Sequence, residues 1–292
     1  MLRSLFSGIS GLSVNQTMLD VTGNNIANAN TTGFKASTTV FQDTLSQLLT
    51  PATRSNDDRG GTNPVQVGLG VQVAGVATNF GQGSAQSTGR ATDLMIQGDG
   101  FFVLQRGAEN QYTRAGAFTF DETGTLVTPA GARVQGFRLD AAGDPIIADP
   151  ADPAASMVDI TLDSASVLPA VPAGVELTSY SFGSDGILRG VYTDGVQRDM
   201  ARLAVADFNN PMGLEKLGET AFRASANSGG AVIGTPDAGG NGSIIGGALE
   251  MSNVDLAAEF TNLILAQRGY QASSRVITTS DTVLDTLVNI KR

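Results

Sequence analysis

Apolar residues recur every seven positions near both ends of this 292-residue chain. Leu5, Leu12, Leu19 and Ile26 hold the spacing at the N-terminal end, with Leu2 and Ile9 at the alternate seam positions. That seam falters at Gln16 and Gly23. At the C-terminal end Leu256, Leu263, Tyr270, Ile277 and Leu284 repeat it, and Phe260 and Val288 widen it. A seven-residue period lays one apolar stripe along an α-helix. It predicts a first helix over 2–28 and a second over 254–290, the latter on the order of 50 Å long. Ser252 or Asn253 is the expected N-cap of the second helix, with Asp255 and Glu259 near its positive end.

Each stripe could pack on a globular core of its own. Gly8, Gly11 and several serines inside the first helix favour a helical partner instead. An interior Gly costs roughly 1 kcal/mol relative to Ala, so this helix needs tertiary burial to form. The matching periods meet as an antiparallel coiled-coil pair if the middle of the chain loops out between them. The two ends are then expected to gain their order on assembly.

Between the ends the period falls to two. Residues 66–74, 101–104 and 112–120 alternate, as strands do. Turn signals separate such runs, among them Asp121-Glu122-Thr123-Gly124, Asp185-Gly186 and Asp194-Gly195. The expected fold is α+β, mainly β, with a discontinuous antiparallel β domain in mid-chain. The expected division is a helical core of 1–30 with 254–292 and a connecting segment over 31–70. A β-rich domain of 71–139 with 175–253 follows, interrupted by a reduced insertion or linker over 140–174.

Composition removes several functions. The chain has no His, Cys or Trp, so the commonest general base, thiolate chemistry and disulfides are absent together. A formal charge of −10 leaves no basic footprint for nucleic acid and disfavours anionic membranes. No run approaches 18 uninterrupted apolar residues, so no membrane insertion is expected. Ser and Gly interrupt the N-terminal apolar residues, which leaves no secretory h-region.

No catalytic constellation emerges, and no cofactor is expected. Asp140, Asp144, Asp149 and Asp152 lack calcium-loop spacing and read as a solvated linker. Asp99, Asp121 and Glu122 read as turn residues rather than paired catalytic carboxylates. Phosphate-binding loops and nucleophile elbows are missing. Asn24, Asn25, Asn28 and Asn30 read as the polar end of the first helix, with a bend as the consequence.

Three blocks then carry a family resemblance. Ser7-Gly8-Ile9-Ser10-Gly11-Leu12, followed by Gly23 to Asn30 and Thr31-Thr32-Gly33-Phe34-Lys35, resembles the N-terminal signature of the flagellar rod and hook family. Thr88 to Phe102 is similar to that family's first β-domain motif. Gly247-Ala248-Leu249-Glu250-Met251-Ser252-Asn253-Val254 with Gln267-Arg268-Gly269-Tyr270-Gln271 resembles its C-terminal signature. The motif positions singled out are Asn24, Asn25, Asn28, Gly33, Phe34, Lys35, Ser252, Asn253 and Val254.

The resemblance implies a non-enzymatic structural subunit of a flagellar tube, with the helices inside and the β domain outside. It implies a homo-polymer as the main partner, with other axial proteins (rod, hook cap, hook-filament junction) at its ends. It also implies passage through the flagellar type III export apparatus without a cleaved signal. Phe41-Gln42-Asp43 through residues 60–70, and Asn209 to Leu214, look most like the bendable hook members. The short insertion keeps the rigid distal rod members as the alternative. The polymer interface would then be the two stripes.

Overall fold

A computed structural model of the protein describes residues 2–55, 60–140, 143–147, 153–162 and 175–290. The chain divides into two compact units. The first gathers residues 1–29, 36–79 and 254–292, and the second holds 30–35 and 80–253.

In the first unit, α1 runs Leu2–Ala27 and α2 runs Leu256–Ile290, close to the expected helices. The cap differs from expectation. Asp255 Oδ1 accepts from the backbone N–H of Ala257 at 2.9 Å and of Ala258 at 3.2 Å, so Asp255 and not Ser252 or Asn253 caps α2. Its position directly before the first helical residue reaches those orphan donors, and its charge suits the helix dipole. Asn253 instead donates to the Gly81 carbonyl at 3.0 Å.

Among the described residues, four strands complete this unit: β1 (Ser37–Asp43), β2 (Ser46–Thr50), β3 (Val65–Gly68) and β4 (Val71–Thr78). β1 pairs antiparallel with β4, and β2 with β3, so 37–78 leaves and returns as one arm. Strand β4, which the period-two pattern assigns to the β-rich domain, is therefore the partner of β1. Its alternation marks a two-stranded ladder, a pattern that cannot say which strand it pairs with.

Among the described residues, the second unit is built on a thirteen-stranded sheet. Its strands in chain order begin with β5 (Ala85–Ser87), β6 (Leu94–Gln97), β7 (Phe101–Arg106) and β8 (Glu109–Thr113). Then come β9 (Thr119–Phe120), β10 (Leu126–Val127), β11 (Arg133–Arg138) and β12 (Val158–Asp159). The hairpin series β13 (Leu177–Phe182), β14 (Ile187–Tyr192) and β15 (Gln197–Leu203) precedes β16 (Val205–Asp207). The unit ends with β17 (Glu215–Gly218), β18 (Ala221–Arg223), β19 (Val232–Gly234), β20 (Ser243–Gly246) and β21 (Ala248–Glu250). The main path runs β13-β14-β15-β11-β7-β8-β18-β17, and β5–β21 and β6–β20 form separate pairs.

β7 lies in the middle of that path, and Phe101 to Leu104 are all buried. Phe102 and Leu104 enter one apolar cluster with Leu94, Phe118 and Leu203. Phe101 and Val103 enter another with Tyr112, Phe137 and Phe222. Alternation along β7 thus selects between two covered faces rather than between core and water. Each such Phe or Leu stabilises the unit by about 1.5–3 kcal/mol. Of the expected insertion, β12 pairs with β11. Asp149 and Asp152 of the acidic run lie outside the described residues.

Candidate functional site

The terminal helices do pair, and they run antiparallel. Ser4 Oγ lies 3.4 Å from Ser280 Oγ. A Cβ built on Gly8 would sit 3.1 Å from Ile277 Cγ1 and 3.5 Å from Val276 Cγ1. One on Gly11 would come within 2.8 Å of Ser273 Oγ, and one on Gly269 would strike Asn15. Asn25 Nδ2 donates to Glu259 Oε1 at 3.1 Å. Each step forward along α1 is matched by an equal step back along α2.

This contact line is small and polar. It passes through Ser4, Gly8, Gly11, Asn15 and Asn25 on one helix, and Glu259, Gly269, Ser273, Val276 and Ser280 on the other. Buried Thr22 and Ala266 continue it at heptad spacing. Apart from Ile277, the nearest side chain to Gly8, the expected apolar seam is therefore not what joins α1 to α2. It lies one residue further along at every step: Leu5 beside Ser4, Ile9 beside Gly8, Leu12 beside Gly11, Ile26 beside Asn25. On α2 the same offset relates Phe260 to Glu259, Tyr270 to Gly269 and Ile277 to Val276. One residue is about 100° of helix rotation. Applied in the same sense to two antiparallel helices, that offset turns both stripes to the same side of the pair.

The stripes remain accessible in the single chain. Ile9 is 47% exposed, Leu256 44%, Phe260 52%, Tyr270 41% and Val288 68%. Leu5, Leu12, Leu19, Ile26, Leu263, Ile277 and Leu284 are half-buried. The side chain of Leu2 lies outside the described residues. Phe6, Ile264 and Leu265, which the heptad count omits, are exposed beside them. The exposed apolar side chains are thus concentrated on the two terminal helices. The arm adds Leu45, Leu48, Leu49 and Val65, all at least half exposed on a two-stranded ladder that buries neither face.

The motif asparagines divide by role. Asn28 Nδ2 donates to the Asn24 carbonyl and to Asn24 Oδ1, both at 2.9 Å, and closes the end of α1 in the expected way. Asn25 is different. It is 1% exposed and bonds to Ser37 at the start of β1 as well as to Glu259. Neither Ser37 nor Glu259 carried a signal for that bond, because the partners are distant in sequence.

The remaining motif residues, Val254 excepted, belong to the second unit. Gly33 takes φ +68° and lies so close to Ala115 that a side chain would collide, which requires glycine twice over. Phe34 receives the Lys216 ammonium 5.3 Å above its ring. Lys35 is buried against Glu250 at 2.6 Å. Burial pushes its ammonium below the usual 10.5, against the opposing pull of Glu250. Ser252 and Val254 sit half-buried between β21 and α2. Among the described residues, no group of three or more Asp or Glu is placed to hold a metal ion.

Fold and helical pair together define an α+β structural subunit whose two chain ends meet as a single element. Three family patterns match along its length: "Flagella basal body rod protein" over residues 5–35, "Flagellar hook protein FlgE/F/G D1 domain" over 95–190, and "Flagellar basal body rod FlgEFG protein C-terminal" over 245–290. The flagellar basal-body rod protein FlgG of Bacillus subtilis (strain 168) is 43% identical over 293 positions, covering both chains completely. The flagellar hook protein FlgE of Treponema pallidum (strain Nichols) is 32% identical over 463 positions, and that of Borreliella burgdorferi is 32% identical over 441, again with both chains covered. The chain belongs to the flagellar rod and hook protein family.

Proposed function

We propose that this protein polymerises with copies of itself into a tubular segment of the flagellar axis, as a rod-type subunit of the basal body. The observation that carries polymerisation is the one-residue offset between contact line and apolar stripe. Helices that met through their apolar stripes would satisfy each other within one chain. Here small residues make the internal contact, and Leu256, Phe260, Leu263 and Tyr270 are left for a neighbouring copy. Burying one such side chain is worth about 1.5–3 kcal/mol, so a row of them drives association.

The rod-type assignment rests on length. The Bacillus relative aligns over 293 positions with this 292-residue chain, whereas the hook relatives need 441 and 463. The insertion over 140–174 leaves no room for an additional outer domain of that size. The hook reading keeps the support of those full-length 32% matches. Either assignment entails export along the axis before assembly and end contacts with other axial proteins.

Electron microscopy of concentrated purified protein tests polymerisation: tubes are expected, and discrete particles at every concentration would contradict it. Imaging basal bodies from a deletion strain separates the two assignments. Loss of the distal rod is expected. Complete rods without hooks would assign the chain to the hook.

A further inference from the structure

We infer that Glu250 is the latch that closes the β-rich unit on the places where its chain enters and leaves. Glu250 ends β21, is 1% exposed, and pairs with Ala85 of β5. Its carbonyl accepts from the Gly33 N–H at 2.8 Å. Its Oε1 accepts from Lys35 Nζ at 2.6 Å and from the Gly83 N–H at 2.9 Å. Its Oε2 lies 3.7 Å from Arg114 Nη1, an ion pair without a hydrogen bond. Lys35 Nζ also donates to the Gly81 carbonyl at 3.0 Å, and Asn253 Nδ2 donates to that same oxygen at 3.0 Å.

These residues are where the chain passes in and out of the unit. The short piece 30–35 supplies Gly33 and Lys35, the segment from Phe80 supplies Gly81 and Gly83, and the exit at Asn253 follows Glu250 by three residues. One residue therefore holds points up to 217 positions apart in the chain (250 − 33). There is no slack around it. A side chain on Gly83 would run into the Met251 carbonyl oxygen, and one on Gly33 into Ala115.

Charge makes the latch asymmetric. The side chains of Lys35, Arg114 and Glu250 are 1%, 4% and 0% exposed, so two cations share one carboxylate in a place water does not reach. Asp99 and Asp207 act on Arg114 only from a distance. Removing a lysine charge leaves a balanced Arg114–Glu250 pair. Removing the carboxylate charge leaves two buried cations facing each other, the costlier outcome. An ordinary structural ion pair would weaken about equally from either side.

The test is hydrogen exchange on the full chain, comparing K35M, E250Q and K35M/E250Q with the parent. In E250Q the amides of Gly33 and Gly83 are expected to exchange about a hundredfold faster or more. Core amides such as Val103 and Val134 should keep their protection. K35M should show a smaller effect, and K35M/E250Q should recover part of the protection lost in E250Q. If E250Q does not fold, the double variant is expected to fold, because it removes one of the two opposed cations. Three results would overturn the latch: unchanged exchange at Gly33 and Gly83 in E250Q, a larger effect in K35M than in E250Q, or a double variant no better folded or protected than E250Q. In a variant that folds, an equal rise at core amides would do so as well, since it would mean general destabilisation.

Discussion

The side-chain amide of Asn25 pairs with Ser37 as one strand residue pairs with another. Its Nδ2 donates to the Ser37 carbonyl at 2.7 Å, and its Oδ1 accepts from the Ser37 N–H at 3.0 Å. The second Nδ2 hydrogen reaches Glu259 Oε1. One buried carboxamide thus ties the end of α1, the start of β1 and the first turn of α2.

Asn25→Ala should destabilise the first unit by about 2–4 kcal/mol, since it strands two buried backbone groups and a carboxylate. Asn25→Asp should be worse at pH 7, because a second carboxylate would face Glu259. Thermal melts followed at the helical signal check the order, and a milder Asp variant would remove Glu259 from the account.

Leu263→Asp and Leu12→Asp should block polymerisation while the β-rich unit stays folded, and so should Phe260→Asp. For Phe260, 52% exposed, the change should alter the stability of the single chain by no more than about 0.5 kcal/mol. Sedimentation and unfolding curves on the same samples separate loss of association from loss of fold. Tubes of normal yield from these variants would disconnect the stripes from assembly.

Glycines in α1 should respond in opposite directions. Gly23 has open space where a Cβ would go, so Gly23→Ala should stabilise the helix by about 1 kcal/mol. Gly8 faces Ile277 and Val276, and Gly8→Leu should destabilise by about 1–3 kcal/mol through overpacking, despite its better helix propensity. Equal signs for the two substitutions would contradict the contact line.

The turn carboxylates give an acid limit. Hydrogen bonds from Thr123 and Thr125 hold Asp121 below the usual 3.8, and the Arg198 guanidinium does the same for Asp194. Both are depressed in the folded state, so their contribution is present above 3.8 and is lost as pH falls through the folded values. D121N and D194N should flatten the loss of stability below pH 4 by comparison with the parent, measured by denaturant titration at a series of pH values.

Particular residues show where the sequence was sufficient. The heptads at 5, 12, 19, 26 and at 256, 263, 270, 277, 284 located both helices, because an α-helix registers a local period whatever it packs against. Of the period-two runs, 101–104 lies inside β7, whereas 112–120 is strand only at its two ends, with 114–118 between β8 and β9, and 66–74 belongs to the first unit. Gly33 and Lys35 belong to a motif that is local in sequence and does not reveal their partners. Glu250 is the one charge in the C-terminal motif stretch Ala248-Leu249-Glu250-Met251, which marks a buried ion pair once its partner is known.

By itself, the amino-acid order determined where the two helices run, that the middle of the chain is β-rich, that the two ends share one period, and that histidine and cysteine chemistry are absent. Only the tertiary structure decided which face of each helix meets the other. A period fixes spacing but not rotation, and small residues at Gly8, Gly11 and Gly269 allow the closer approach. It also decided that Lys35 meets Glu250 and Asn25 meets Glu259, since 215 and 234 positions of chain separate those partners and no local pattern spans such distances.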